Sequence, residues 1–203
     1  MHDMTGNKDD TLVELTELMM ELPGIGPISA ARIVTDLLVR KQDVAHALSR
    51  SLQKALSQAH RCPICNTLTT LPLCPVCSDS DRDNSLICVV EQPSDMAAVE
   101  KSVVYQGSYF VLMGRINPLE ETGPEDLGMD RLIERACQSE VREVIIATSY
   151  TPEGEITAQM IRSALRKFAP HVRVTRLAKG LPAGVEIEYA DLPTIASAMT
   201  ERR

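Results

Sequence analysis

The chain has 203 residues, enough to bury the core of one domain or of two small ones. Hydrophobic residues at 44% and charged residues at 24% are globular values, and the apolar runs are too short to span a bilayer. The formal net charge of −7, taken over the whole chain, argues against a nucleic-acid partner.

Its distribution argues differently. Residues 1–23 are net −5, residues 24–61 are net +4, and residues 62–203 are net −6. A basic excess confined to 24–61 on an acidic protein is compatible with local phosphate binding, and equally with a solvated helix face. The segment Met1–Asp10 is polar and acidic, unlike a secretory signal. With thiols at metal-binding spacing, this points to a reducing cytoplasm.

Residues 11–22 carry Leu12, Leu15, Leu18, Met19 and Leu22 at helical spacing. Pro23 stops that helix, Gly24 and Gly26 permit positive φ and close backbone approach, and Pro27 suits the first turn of a helix to about Arg40. The result is a helix–hairpin–helix, whose turn and second helix N-terminus present N–H groups to a phosphate without reading sequence. The same string also serves as a tight turn between packed helices. Ile28 adds no charge to the hairpin and is able to pack; Arg32 lies one turn on. Residues 43–59 form a third helix with Val44, Leu48, Leu52, Ala55 and Ala59 on one face, and Arg50 and Lys54 on another. Gly24, Gly26, Arg32, Arg40, Lys41, Arg50 and Lys54 are the candidate DNA contacts. His46 and His60 read as surface residues.

Cys62, Cys65, Cys74 and Cys77 form two Cys-x-x-Cys knuckles eight residues apart. Each knuckle turns two thiolates to one side, and two facing knuckles suit a tetrahedral Zn²⁺ better than disulfides or a redox pair. Four sulfurs leave no position for water, so the zinc is read as structural. Cys88 and Cys137 read as small buried hydrophobes.

Strands follow at Leu86–Val90, Tyr109–Met113, Glu143–Thr148 and Val172–Leu177, with helices from Pro93 to about Ser102, over 130–138, over 156–168 and from about Asp191. Continuous apolar, β-branched runs alternating with helices imply a parallel, doubly wound sheet. Function in such sheets gathers at the carboxyl ends of strands. Those ends carry Glu91 and the pair Glu153 and Glu155, an arrangement seen in Mg²⁺ sites. Equally, Glu153 and Glu155 suit a helix N-terminus and Glu91 an exposed strand end.

The order Leu22-Pro-Gly-Ile-Gly-Pro27, Cys62-x2-Cys-x8-Cys-x2-Cys77, Ile87-Cys-Val-Val-Glu91, Gly123-Pro-Glu-Asp-Leu127, Glu153-Gly-Glu155 and Gly180-Leu-Pro-Ala-Gly184 resembles the RecR family of recombination mediators across essentially the whole chain. Ile28 stands where the family hairpin has Lys, and Arg32 matches the family Arg. Other departures are Leu119-Glu-Glu-Thr-Gly-Pro124, Ala147-Thr-Ser-Tyr-Thr-Pro-Glu-Gly-Glu155 and Ala178-Lys-Gly180. They mark a divergent member. The resemblance implies a helical region at 1–61, a zinc knuckle at 62–84, a Toprim domain at 85–180 and a C-terminal segment at 181–203. It further implies a bacterial cytoplasmic repair factor that forms a tetrameric ring, binds DNA, and acts with RecO and RecF to load RecA on gapped DNA.

Three functions are therefore in play. The first is a non-enzymatic DNA clamp and adaptor, in which the knuckle fixes the basic helices against the Toprim domain and the Toprim acids face a basic partner such as RecO. The second is an active Toprim nuclease or primase, with Glu91 as acid/base and Glu153 and Glu155 on Mg²⁺. Against it, Ser149-Tyr150-Thr151 stands where catalytic Toprim proteins have Asp-x-Asp. The third is a protein-only adaptor that has lost DNA binding, suggested by Ile28 and the net charge.

Overall fold

The computed structural model describes residues 11–117, 122–178, 184 and 186–200. Glu120 and Glu121 of the long loop, and the Lys179–Ala183 stretch, lie outside the described residues. The chain forms two compact units, Met1–Ala59 and His60–Arg203.

The first unit holds α1 (Thr11–Met20), α2 (Pro27–Val39) and α3 (Gln42–Gln58). The helix starts and stops follow the punctuation by Pro23, Gly24 and Pro27. Helix α2 packs against both of its neighbours and buries Ala30 and Val34. Helices α1 and α3 bury no residue fully. Leu12, Leu18, Leu48, Leu52 and Leu56 stay at least half exposed, so the apolar face of α3 is not buried within its own unit among the described residues.

The second unit opens with a two-stranded antiparallel ladder, β1 (His60–Arg61) with β2 (Leu68–Thr69), which ties the ends of the first knuckle together. Its main sheet has β3 (Asp83–Val90), β4 (Gly107–Val111), β5 (Glu143–Ile146) and β6 (Arg173–Arg176). All pairings are parallel and the order is β4-β3-β5-β6. Side chains alternate across a strand, and here both faces are covered. Ile87, Val89, Phe110, Val144 and Ile146 pack with Leu132 and Ala136 of α5 (Met129–Ala136) and with Ile161 and Leu165 of α6 (Pro152–Phe168). Cys88, Val90, Tyr109 and Val111 pack with Met96 of α4 (Pro93–Lys101) and with three knuckle cysteines. This is the doubly wound parallel sheet expected of continuous apolar strands. A 3₁₀ turn at Ile187–Tyr189 and α7 (Leu192–Thr200) follow, the latter capped by Asp191, which accepts from the Thr194 N–H at 2.9 Å. No helix among the described residues is long and apolar enough to cross a membrane.

Several boundaries differ from expectation. Strand β4 starts two residues earlier than expected, at Gly107, and ends before Met113, whose φ of 62° breaks extended geometry. Helix α6 begins at Pro152, not 156, so Glu153 and Glu155 lie in its first turn. Cys137 is exposed rather than buried, because it caps the end of α5, with its Sγ 3.3 Å from the Phe168 carbonyl.

A half-buried ion network fastens the segment after the knuckle. Arg82 grips both oxygens of Glu100, at 2.8 Å for Nη1–Oε1, and Tyr109 donates its hydroxyl to Oε1 at 2.6 Å. The Arg82 hydrogen bonds hold the Glu100 carboxyl below the ordinary value of 4.5. A depressed carboxyl pKa contributes stability that is complete above the unfolded value and is lost as pH falls through the folded one. Glu100→Gln should therefore destabilise the second unit at neutral pH by about 1.5–3 kcal/mol, the range for hydrogen bonds to charged groups. The gap to wild type should close as pH drops below about 4.5. Urea unfolding followed by tyrosine fluorescence, clean in a chain without Trp, measures it.

Candidate functional site

The hairpin is built by backbone geometry. Gly24 has a φ of +80°, a conformation in which an L side chain is strained. Gly26 does not share it: φ is −87° and ψ 174°, and the residue serves as the N-cap of α2. That cap makes no side-chain hydrogen bond, and the first turn of α2 holds no acid. A Cβ built on either glycine meets nothing within 4 Å, so the turn is open to a close approach. Ile28 projects into solvent at 79% exposure and does not pack. Ser29, Arg32, Asp36 and Arg40 line one groove of about 750 Å³ along α2.

The candidate cations divide into two groups. Lys41 pairs with Asp36 at 2.8 Å, and Arg40 lies 3.9 Å from the same carboxylate. The Lys41 hydrogen bond is the main reason the Asp36 carboxyl is held low. Arg32, Arg50 and Lys54 are exposed, and none enters an ion pair among the described residues.

The four predicted cysteines do meet. Their Sγ atoms all lie within 4.8 Å of one another, with Cys65 and Cys74 at 3.4 Å, and three of the four are buried. A tetrahedral Zn²⁺ with Zn–S near 2.3 Å sets the sulfurs about 3.8 Å apart, so the donor set and its size fit a closed, structural site. The Cys77 N–H points at Cys74 Sγ at 3.4 Å. The hydrogen bond with Cys77 draws the Cys65 thiol below its ordinary value, while burial pushes the Cys74 thiol above it. Ligation needs all four as thiolates, so protons compete with the metal.

Residues outside the motif hold the first knuckle to the sheet. The Val111 N–H donates to the Cys65 carbonyl at 2.7 Å, and Asn66 Nδ2 donates to the Val111 carbonyl at 2.6 Å. From α5, Arg131 donates to Asn66 Oδ1 at 2.9 Å and to the carbonyls of Cys62 and Pro63 at 3.0 and 2.8 Å. Arg135 donates to the Tyr109 carbonyl at 2.6 Å. Burial pulls the Arg135 guanidinium below its ordinary value, and the nearby cysteine sulfurs oppose that shift. The Arg135 guanidinium interacts with the cysteine sulfurs and would offset part of the negative charge of a zinc–thiolate cluster. Sequence reasoning missed Asn66, Arg131 and Arg135. One signal was present: the two arginines stand four apart beside the buried Leu132 and Ala136, on one flank of an amphipathic helix.

The three carboxylates at the strand ends are largely engaged within the fold. Glu91, 8% exposed, accepts from both the N–H and the hydroxyl of Ser149 at 2.8 Å. Glu155 pairs with Arg176 at 2.6 Å. Glu153 sits in the first turn of α6, where Thr151 caps the Gly154 N–H. Gly154 is obligatory there, since a Cβ would lie 2.2 Å from the Ser149 carbonyl oxygen. The four-cysteine cluster is the one metal-type grouping among the described residues, and these acids do not form another. Tyr150 gives its hydroxyl to the Leu177 carbonyl and lies under Arg176, 4.3 Å from guanidinium to ring centre.

Removing a ligand and removing its support should differ. Cys62→Ser should lose zinc and folded stability together, read by metal content and thermal melting. Arg131→Ala should keep the coordination but weaken zinc affinity about 10–100-fold, the range for outer-shell partners, in a chelator competition. Acidification should release zinc from both wild type and Arg131→Ala, the variant at the higher pH.

Comparison with known families places these parts in one frame. Residues 12–56 match the family model described as RecR, helix-hairpin-helix, and residues 59–79 the RecR four-cysteine zinc finger domain. Residues 85–178 match the Toprim domain and residues 180–203 the RecR C-terminal model. These are the four expected modules in the expected order, and the zinc-finger match agrees with the clustered cysteines in assigning a structural zinc. The architecture supports a role in recombinational repair as a mediator. With nearly every residue from 12 to 203 falling in one of these four models, the chain belongs to the RecR family.

Proposed function

We propose that this chain is a non-enzymatic DNA clamp and adaptor that works with RecO- and RecF-like proteins to load a recombinase on gapped DNA in the bacterial cytoplasm. The observation that carries it is the start of α2: an uncapped N-terminus without an acid, behind an open glycine turn, with exposed Arg32 in the adjoining groove. Such an end attracts phosphate through its unspent N–H groups and its dipole. Arg50 and Lys54 add to the contact, whereas Arg40 and Lys41 share their charge with Asp36. The exposed leucines of α1 and α3 suit burial against further copies in a ring.

The working division is a hairpin region at 1–61, a knuckle at 62–84, a Toprim domain at 85–180 and a C-terminal segment at 181–203. Of the Toprim acids, Glu153 has no side-chain ion pair among the described residues and is best suited to meet a basic partner. Glu91 and Glu155 are engaged with Ser149 and Arg176, which suits a scaffold better than a metal-dependent nuclease. One observation favours the protein-only adaptor: exposed Ile28 leaves the hairpin tip without the cation that RecR hairpins carry.

Titration of gapped DNA with and without a RecO-like partner separates the readings. The clamp binds alone, sequence-tolerantly, with affinity falling steeply as salt rises. Arg32→Ala should weaken binding severalfold and reduce the log–log salt slope by about one phosphate's share, roughly 0.9 on duplex. Unchanged affinity and slope would exclude the hairpin as the contact, and binding only in the mixture would favour the adaptor.

A further inference from the structure

We infer that the amino-terminal edge of the Toprim sheet is a second nucleic-acid contact, suited to single-stranded DNA and separate from the hairpin. It shares with the hairpin reading only the premise that the chain meets DNA. The expectation that basic excess is confined to residues 24–61 is incomplete. The net −6 of residues 62–203 conceals a stretch, 156–185, with six Lys/Arg and no acid.

The fold sorts these cations. Arg176 is at the carboxyl end of β6 and is neutralised by Glu155. Lys179 lies outside the described residues, and Arg162 is half-buried on α6. Arg166, Lys167 and Arg173 are exposed and enter no ion pair among the described residues. Helix α6 returns from the carboxyl end of β5 to the amino end of β6, so its last turn lies at the amino ends of the strands. A short link, closed by the Val172 N–H on the Ala169 carbonyl at 3.1 Å, carries exposed His171 and leads to Arg173. The Arg173 N–H then bonds the carbonyl of exposed Arg142 at 2.9 Å. The nearby acids are partly occupied. Glu143 accepts from the Thr175 hydroxyl at 2.6 Å. The Asp83 carboxyl is held low first by its hydrogen bonds from Ser85 and last by Arg142. Glu140 is exposed in the turn before β5.

A helix C-terminus favours cations in its own right, which accounts for Arg166 and Lys167. It does not account for Arg173 on the neighbouring strand, nor for Phe168. The chain has no Trp and two Phe. Phe110 is fully buried, while Phe168 is 52% exposed with Lys167 Nζ 4.9 Å from its ring centre. Cations that neutralise phosphates beside an aromatic face open to stacking are what a single strand recognises, since its bases are free to leave the stack. An acidic protein would match the charge but would give Phe168 no such role.

The test uses the full chain, an oligo-dT strand and a duplex of equal length, read by anisotropy across a salt series. Arg166→Ala/Lys167→Ala/Arg173→Ala should lower the log–log salt slope on oligo-dT by about 2, at roughly 0.7 for each phosphate no longer neutralised. Phe168→Ala should weaken oligo-dT binding roughly tenfold and duplex binding much less. Zinc content and melting temperature should match wild type. If the triple variant misfolds, Arg173→Ala alone should still lower the slope by roughly 0.7. Weaker oligo-dT binding in these variants, with the Phe168→Ala loss larger on oligo-dT than on duplex, supports the edge whatever Arg32→Ala does. Weaker binding in Arg32→Ala alone, with the edge variants binding as wild type, overturns the edge and leaves the hairpin standing. A wild-type chain that binds no oligo-dT also overturns it, as does a Phe168→Ala effect equal on duplex and single strand.

Discussion

The backbone of Val111 is where the first knuckle is fastened to the sheet. Strand β4 ends the sheet, so one row of its N–H and C=O groups faces away from β3. An open parallel edge is a template for pairing with another chain. Here the knuckle fills the gap. Cys65 accepts the Val111 N–H, and the Asn66 amide takes up the Val111 carbonyl. Asn66 reaches that position through a left-handed backbone, φ 66°, a conformation Asn tolerates better than most residues. The metal site is thus also the lid on an edge strand. Zinc, which draws the two knuckles together, acts on the sheet through hydrogen bonds and burial rather than through chemistry.

This arrangement changes the role that spacing alone suggests for the knuckle. Read from the sequence, it is a divider between helices and sheet. In the structure it belongs to the sheet's own unit, sharing a core with Cys88, Val90, Tyr109 and Val111. Arg131 and Arg135 reinforce the attachment to the first knuckle. Around the second, hydrogen bonds such as Ser78 N–H to the Cys74 carbonyl at 3.0 Å stay local. The two halves of the metal site therefore differ in support. One is positioned by α5 and β4, and the other by the ligands and the packing of Leu73 and Val76.

Legibility followed locality. The Cys-x-x-Cys pairs, the proline–glycine hairpin and the continuous apolar strands are local patterns, and each led to the right element. Helix α6 was also legible at its start, since Thr151 and Pro152 form an N-cap and first turn. Gly154 obscured it, because glycine in a helix costs roughly 1 kcal/mol relative to alanine. The reason for that glycine is the Ser149 carbonyl, a tertiary contact invisible in sequence. The support of the knuckle was hidden for the same reason: Arg131 and Asn66 are 65 residues apart. The uncovered leucines of α3 were legible as a stripe but not as exposed, since periodicity fixes a face and not what covers it.

Placing the charges on the sheet gives the second unit an electrical direction. Glu91 and Glu153 stand at the carboxyl ends of the strands, and Arg166, Lys167 and Arg173 at the opposite end. A local group of cations at one end of an acidic body, even with Asp83, Glu140 and Glu143 beside it, biases how that body turns in the field of a polyanion before contact. Orientation of this kind changes how fast a productive encounter forms more than how long it lasts. It also fades once ions shrink the screening length to about 8 Å, near physiological salt. For an acidic chain of net charge −7, such a local group of cations at low salt biases which side meets a polyanion first.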